Sequence, residues 1–321
     1  MTLALQKVQH RSLDSLDISL SMARADLIHP LASGNKIYKL IPNIAFAKTQ
    51  GYNELVSFGG AFSNHIYALA LIANKHGLKS IGIIRGEEFY KANPTLQDAQ
   101  KAGMQLEFVS RHDYKRRNEK EYLRALQQRY PNALIIPEGG SSQKAVGGCT
   151  ILCEDINHNY SKQGQKTDVI TVACGTGATF AGLVCGALQH QTVIGYAVLR
   201  DASLANRVEA FIQTEIDSKN VLGAKEKMQI ELADFGGYAK LDKTLLDFIL
   251  DWLEQTGILL DPIYTGKMCM RVMQQIESGQ FKAGTHITLV HSGGLQGWRG
   301  MKPRVVKLVG DDAWQRIEEC L

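Results

Sequence analysis

Proline is scarce in this chain, with 7 of 321 residues, about 2% against a usual value of about 5%. That excludes proline-rich linkers and extended stalks. Cysteine is also scarce. Six residues are too few for a disulfide scaffold at this length. Cys149 and Cys153 lie four apart on an expected helix, but zinc needs two further ligands and none is nearby in sequence. No metal is expected. Charge of one sign is missing too: 36 Lys and Arg against 32 Asp and Glu leave a net +4. That surplus is too weak to argue for nucleic acid or a membrane surface as partner. No run approaches the roughly 18 apolar residues of a membrane helix. Met1–Ser15 mixes apolar residues with Gln6, Lys7, His10 and Arg11, so no secretory start is read there. The expected location is cytoplasmic, with reduced thiols.

What is present is glycine, 30 residues, about 9% against about 7% in average usage. With proline so low, folded backbone must need it at particular points. Hydrophobic content of 45% and charged content of 21% describe an ordinary globular protein. Eight short β-branched segments recur: Leu55–Phe58, Ser80–Ile84, Gln105–Val109, Ala133–Ile136, Asp168–Ala173, Thr192–Leu199, Gln229–Ala233 and His286–Val290. Helix-like stretches lie between them, among them Asn64–His76, Pro94–Ala102, Arg117–Arg129, Ala178–Leu188 and Leu241–Gln255. This alternation predicts the α/β class, with mostly parallel sheet covered on both faces. Gly147-Gly148 and the polar run Asn157–Lys166 read as a return between units. The expected organisation is a small domain at 44–150 and a large domain from 1–43 and 151–321. Arg111–Arg129 carries seven Lys and Arg against three Asp and Glu. Such a run is usually a solvated helix face rather than an anion site.

Ten of the thirty glycines fall in five places, each just after a predicted strand: Gly59-Gly60, Gly139-Gly140, Gly175 with Gly177, Gly236-Gly237 and Gly293-Gly294. In an open α/β sheet the carboxyl ends of the strands form the ligand crevice, and glycine there permits close backbone approach. The segment Cys174-Gly175-Thr176-Gly177-Ala178-Thr179 follows a buried-looking strand and opens a helix. Its amides suit a phosphate. A dinucleotide fingerprint would need a third glycine where Phe180 stands, and its acid, if Asp201, comes late. The turn is therefore a better match to a compact phosphorylated cofactor than to NAD.

Two further segments carry chemistry. Ser33-Gly34-Asn35-Lys36-Ile37-Tyr38-Lys39-Leu40 places Lys36 and Lys39 on one face of a helix start, with a glycine–asparagine lead-in as the cap. Two such lysines alone would read as surface charge. Beside a phosphate loop, a desolvated lysine is what a Schiff-base enzyme requires. Ser57-Phe58-Gly59-Gly60-Ala61-Phe62-Ser63-Asn64-His65 is another strand–turn–helix, in which Ser63 or Asn64 serves equally as a plain helix cap.

Together these segments resemble the pyridoxal-phosphate enzymes of the tryptophan-synthase-β fold type. Within them the chain looks most like the D-cysteine desulfhydrase and 1-aminocyclopropane-1-carboxylate (ACC) deaminase group. The resemblance spans roughly Gly34 to Gly294 and rests on GNKIYKL, FGGAFSNH, CGTGATFAGL, LDPIYTGKM and HSGGLQG, in that order. It implies two open twisted, mostly parallel sheets flanked by helices, with pyridoxal 5'-phosphate in the cleft between domains. It also implies a Schiff base on Lys36. Lys39 and Gly175, Thr176, Gly177, Ala178 and Thr179 would hold the phosphate, and Asn64 would face the cofactor's 3-hydroxyl side. Ser63 would lie by the substrate carboxylate, with His65 also in the substrate site. Tyr264 and Tyr238 would line the reacting face, and Ser292 would lie near the pyridine nitrogen. A neutral serine there implies a weak electron sink, suited to β-elimination. The substrate implied is a small amino acid and the assembly a homodimer.

In the resembling family, ACC deaminases typically carry Glu and Leu where this chain has Thr265 and Ser292. The small hydroxyls favour elimination from a cysteine-like amino acid to pyruvate, ammonia and hydrogen sulfide over opening of a cyclopropane. The alternatives are an ACC deaminase on the same scaffold, a nicotinamide-dependent oxidoreductase using the Gly175 turn, and a non-catalytic binding protein. Phe62 stands where relatives usually have Gln, and Ala239 where Gly is usual.

Overall fold

Buried β-branched runs followed by helices put strands side by side and helices on both faces. The computed structural model describes residues 3–29, 34–219, 223–237 and 239–321. Its strands are β1 (Leu5–Val8), β2 (Ile18–Ala23), β3 (Glu54–Gly60), β4 (Lys79–Arg85), β5 (Met104–Val109), β6 (Ala133–Ile136), β7 (Val169–Cys174), β8 (Thr192–Ala197), β9 (Met228–Leu232) and β10 (Thr285–Val290). They form a six-stranded sheet in the order β1-β2-β10-β7-β8-β9 and a four-stranded sheet in the order β5-β4-β3-β6. Every pairing is parallel except β1 with β2. The α/β expectation of two mostly parallel sheets flanked by helices holds. All eight expected strands are present. The sequence reading missed β1 and β2, which pair antiparallel and add the edge beside β10.

The main helices are α1 (Lys36–Thr49), α2 (Asn64–Lys75), α3 (Pro94–Lys101), α4 (Arg111–Lys115), α5 (Lys120–Arg129), α6 (Gln143–Lys162), α7 (Ala178–Gly186), α8 (Leu204–Lys219), α9 (Lys243–Thr256) and α10 (Thr265–Glu277). The helix expected at Arg117–Arg129 begins only at Lys120. Arg117 is held in a 3-10 turn instead, donating to Glu138 Oε2 (2.8 Å) and to the Tyr114 carbonyl (3.1 Å).

Gly147-Gly148 and most of the polar run after Asn157 lie inside one helix of 20 residues, α6, which carries the chain from β6 of the four-stranded sheet to β7 of the six-stranded one. Packing explains the glycine. Pro42 in α1 lacks the amide that would bond the Tyr38 carbonyl four residues back. Gly148 fits against that carbonyl: a Cβ on it would lie 1.9 Å from Tyr38 O. On the other side of α6, a Cβ on Gly182 of α7 would lie 2.4 Å from Cys149 Cβ. Cys149 and Cys153 are thus buried filler between helices. Helix α7, buried on every side from Ala178 to Cys185, packs under the sheet that ends at Cys174.

Candidate active site

The carboxyl ends of β3, β6, β7 and β10 bring four of the five glycine turns into one neighbourhood. Contacts between them are close. A Cβ on Gly139 would lie 3.0 Å from Thr176, one on Gly140 3.1 Å from His65, and one on Gly175 3.3 Å from Tyr264. Gly34 takes φ +87°, and a Cβ on it would lie 1.9 Å from the Ser292 carbonyl oxygen. The Asn35 amide donates to that same carbonyl (3.2 Å). The fifth turn joins through Lys267 of α10, whose buried ammonium donates to the carbonyls of Asp234 (2.7 Å) and Gly237 (2.6 Å).

Helix α1 begins at Lys36, so its first turn projects Lys36 and Lys39 into this neighbourhood. Asn35 occupies the cap position but its side chain does not cap. Its Nδ2 donates to Thr179 Oγ1 (2.7 Å), and its Oδ1 accepts from Lys36 Nζ (3.0 Å). Burial lowers the Lys36 amine to about 8, against a smaller opposing influence from Cys149 and Asp261. Lys39 is almost fully buried, and its Nζ donates to Gly139 O (2.9 Å), Ser141 Oγ (3.1 Å) and Thr176 Oγ1 (3.4 Å). Among the described residues no carboxylate pairs with it. Burial, reinforced by Lys36, lowers its pKa to about 7.

The loop after β7 behaves as the sequence suggested at its ends. Gly177 is left-handed (φ +90°) and precedes α7, while Ala178 and Thr179 are buried in the first turn. The Thr176 carbonyl is held by Arg207 Nε (3.0 Å), which is itself paired with Asp201. Ser63 caps α2, accepting from the Ile66 amide (3.3 Å). Asn64 is half-buried at the first turn, its Nδ2 directed at Gly294. His65 is buried under the site. Ser57 Oγ donates to the Ile136 carbonyl (2.7 Å), so it accepts from His65 Nε2–H (2.7 Å). That leaves a lone pair on Nδ1, which is buried without a hydrogen-bond partner among the described residues. Burial, with Lys36 and Lys39 nearby, lowers the ring's pKa far enough to keep it neutral. Tyr264 is placed by Asp261, whose Oδ1 accepts from the amides of Ile263 (2.9 Å) and Tyr264 (2.8 Å). Tyr238 lies outside the described residues. Phe62 is exposed, its ring over Gly300.

These groups fit a phosphorylated aldehyde cofactor on three counts: a buried cation lacking its anion, a neighbouring amine of lowered pKa, and a cradle of glycines that side chains would fill. The model of the pyridoxal-phosphate dependent enzyme family matches residues 21–293. The chain belongs to that family. A Pyrococcus abyssi protein provisionally named 1-aminocyclopropane-1-carboxylate deaminase is 29% identical over 88% of this chain and 86% of its own length. The mitochondrial bifunctional D-cysteine desulfhydrase/1-aminocyclopropane-1-carboxylate deaminase of Arabidopsis thaliana is 27% identical over 93% of this chain and 77% of its own. A solved structure described as an ACC deaminase homologue shares the fold, with a TM-score of 0.85 at 24% identity, covering 96% of this chain and 94% of that one. The protein is thus a pyridoxal-phosphate enzyme of the lyase or deaminase kind.

In this pyridoxal-phosphate enzyme the sequence reading missed several contributors. Ser141 follows Gly139-Gly140 and touches both Lys39 and Thr176; a serine after a strand-end glycine pair was the available signal. Asp261 is buried and holds three backbone amides and the Thr265 hydroxyl. Its signal was an acid before Pro262 at a helix start. Ser57 and Lys267 looked like ordinary strand and helix residues. Among the described residues no helix is long and apolar enough to cross a membrane.

Proposed function

We propose that the chain eliminates hydrosulfide from D-cysteine, giving pyruvate, ammonia and hydrogen sulfide. The bound cofactor would supply an electron sink for charge developing at the substrate Cα. The chain's residues would do the rest. Lys36 attaches the cofactor. Once released by exchange with the substrate amine, its Nζ accepts the Cα proton, a role suited to an amine lowered to about 8. Lys39, Ser141, Thr176 and the amides of Gly177–Thr179 hold the phosphate. Ser63, Asn64 and the tyrosines Tyr264 and Tyr238 orient the substrate, and Ser292 gives the ring nitrogen a neutral neighbour. The Cβ–S bond breaks with its electron pair on sulfur. The enamine released hydrolyses to pyruvate and ammonia.

The observation that carries the choice of substrate is Thr265. Its Oγ1 donates to Asp261 Oδ2 (2.7 Å) and accepts from the Asp261 amide (2.8 Å), with no exposed surface. A glutamate here would set a second carboxylate against a buried one, at a cost of several kcal/mol. The position is built for a small hydroxyl, which in the resembling family accompanies desulfhydration. The second reading is an ACC deaminase, favoured by the name of the Pyrococcus relative. Steady-state assays separate them. Pyruvate and sulfide in equal amounts from D-cysteine support the proposal; 2-oxobutyrate from ACC with no sulfide from either cysteine enantiomer overturns it. We further propose a cytoplasmic homodimer, with residues 44–150 as the smaller unit beside the cofactor.

A further inference from the structure

Asn64 can present either end of its amide to the cleft, and the two ends have opposite chemistry. Gln296 decides which. It lies in the 3-10 turn Leu295–Gly300 after β10, and it bridges that turn to α2 and α3. The buried Thr95 hydroxyl donates to Gln296 Oε1 (2.7 Å), which fixes the glutamine's own orientation. Gln296 Nε2 then donates to Asn64 Oδ1 (2.5 Å). With its oxygen taken, Asn64 turns Nδ2 towards Gly294, 2.7 Å from where a Cβ would stand. Gly294 adopts φ +96°, which a glycine holds without strain. Asn64 Nδ2 has no hydrogen-bond partner among the described residues, so a donor faces the cleft.

We infer that Gln296 is a positioning residue that makes Asn64 a hydrogen-bond donor to the cofactor's ring oxygen. The inference rests on the cofactor reading above. An N–H facing an oxygen anion stabilises it. A reversed amide would set a lone pair against that anion and drive the oxygen to hold a proton instead. Glutamate at 296 still accepts from Thr95 but has no proton for Asn64 Oδ1, so Gln296→Glu reverses the amide. Gln296→Leu removes the restraint. Thr95→Val frees the glutamine while leaving the shape of the site.

The test uses the protein loaded with pyridoxal phosphate. In Gln296→Glu the visible band shifts towards the shorter-wavelength, proton-bearing form, and cofactor loss on dilution is about five- to tenfold faster, the loss expected for one hydrogen bond. Thr95→Val moves both readouts in the same direction by less and covers the case in which Gln296→Glu does not fold. The melting temperature of the cofactor-free variants stays near wild type. An unchanged spectrum and off-rate in the variants overturns the inference, as does a drop in cofactor-free melting with the spectrum unmoved. If the wild type itself shows no band tied to Lys36, the cofactor reading fails instead.

Discussion

The ammonium of Lys39 lies 3.4 Å from the hydroxyl of Thr176, and among the described residues its hydrogen-bond partners are all neutral oxygens. A buried cation without an anion is expensive unless a ligand brings the charge. In the ordinary chain lysine titrates at 10.5, and here burial brings it to about 7. Between those values the unfolded chain holds more protons than the folded one, so this group makes stability rise with pH. Cofactor-free wild type should therefore gain about 1 kcal/mol over Lys39→Met between pH 6 and pH 8, a difference read from urea denaturation. Pyridoxal phosphate should flatten that difference by holding the proton on Lys39. Equal pH dependence in the two proteins would remove Lys39 from the phosphate site.

Lys36 sets a second pH dependence. Only the neutral amine attacks an aldehyde, and burial brings this amine to about 8. The rate at which the visible band appears on mixing cofactor-free protein with pyridoxal phosphate should rise with pH and level off above about 8. A rate still climbing steeply towards 10 would mean that Lys36 is an ordinary, solvated lysine.

Gly148 has a structural role that a single methyl exposes. Its Cβ would meet the Tyr38 carbonyl at 1.9 Å, and backbone cannot move aside cheaply. Gly148→Ala should cost about 2–4 kcal/mol by chemical denaturation. Gly164→Ala, at φ +64° with nothing within 4 Å, should cost only about 1 kcal/mol.

Ala239 offers a gain in the other direction. It sits at φ +56°, a conformation that alanine resists. Ala239→Gly should stabilise the protein by about 0.5–1 kcal/mol, since relief of that strain exceeds the added freedom of the unfolded chain. A loss of stability would show that neighbouring contacts, not backbone strain, govern this loop.

Much of the fold was legible because strand ends announce themselves. Parallel strands buried on both faces read as continuous apolar runs, and β7 is buried from Val169 to Cys174. The strands β1 and β2 were not legible. β1 is a short edge strand with Lys7 exposed, so neither periodicity nor a buried run marks it. The full length of α6 was not legible: a helix was expected at Cys149 and Cys153, but glycines that serve helix packing hid where it starts. In the site, lysines and glycines could be found by motif. Asn35 could not, because its bond to Thr179 spans 144 positions of the chain. The orphaned nitrogen of His65 was equally invisible, since it depends on the Ser57 hydroxyl being committed to Ile136.

The most direct test of the cofactor site is chemical. The protein is loaded with pyridoxal phosphate and reduced with borohydride, and the labelled peptide is mapped by mass spectrometry. The account predicts a single stable label on Lys36, lost in Lys36→Ala together with turnover. A label on Lys39 or Lys267, or a protein that keeps no cofactor at all, would contradict it.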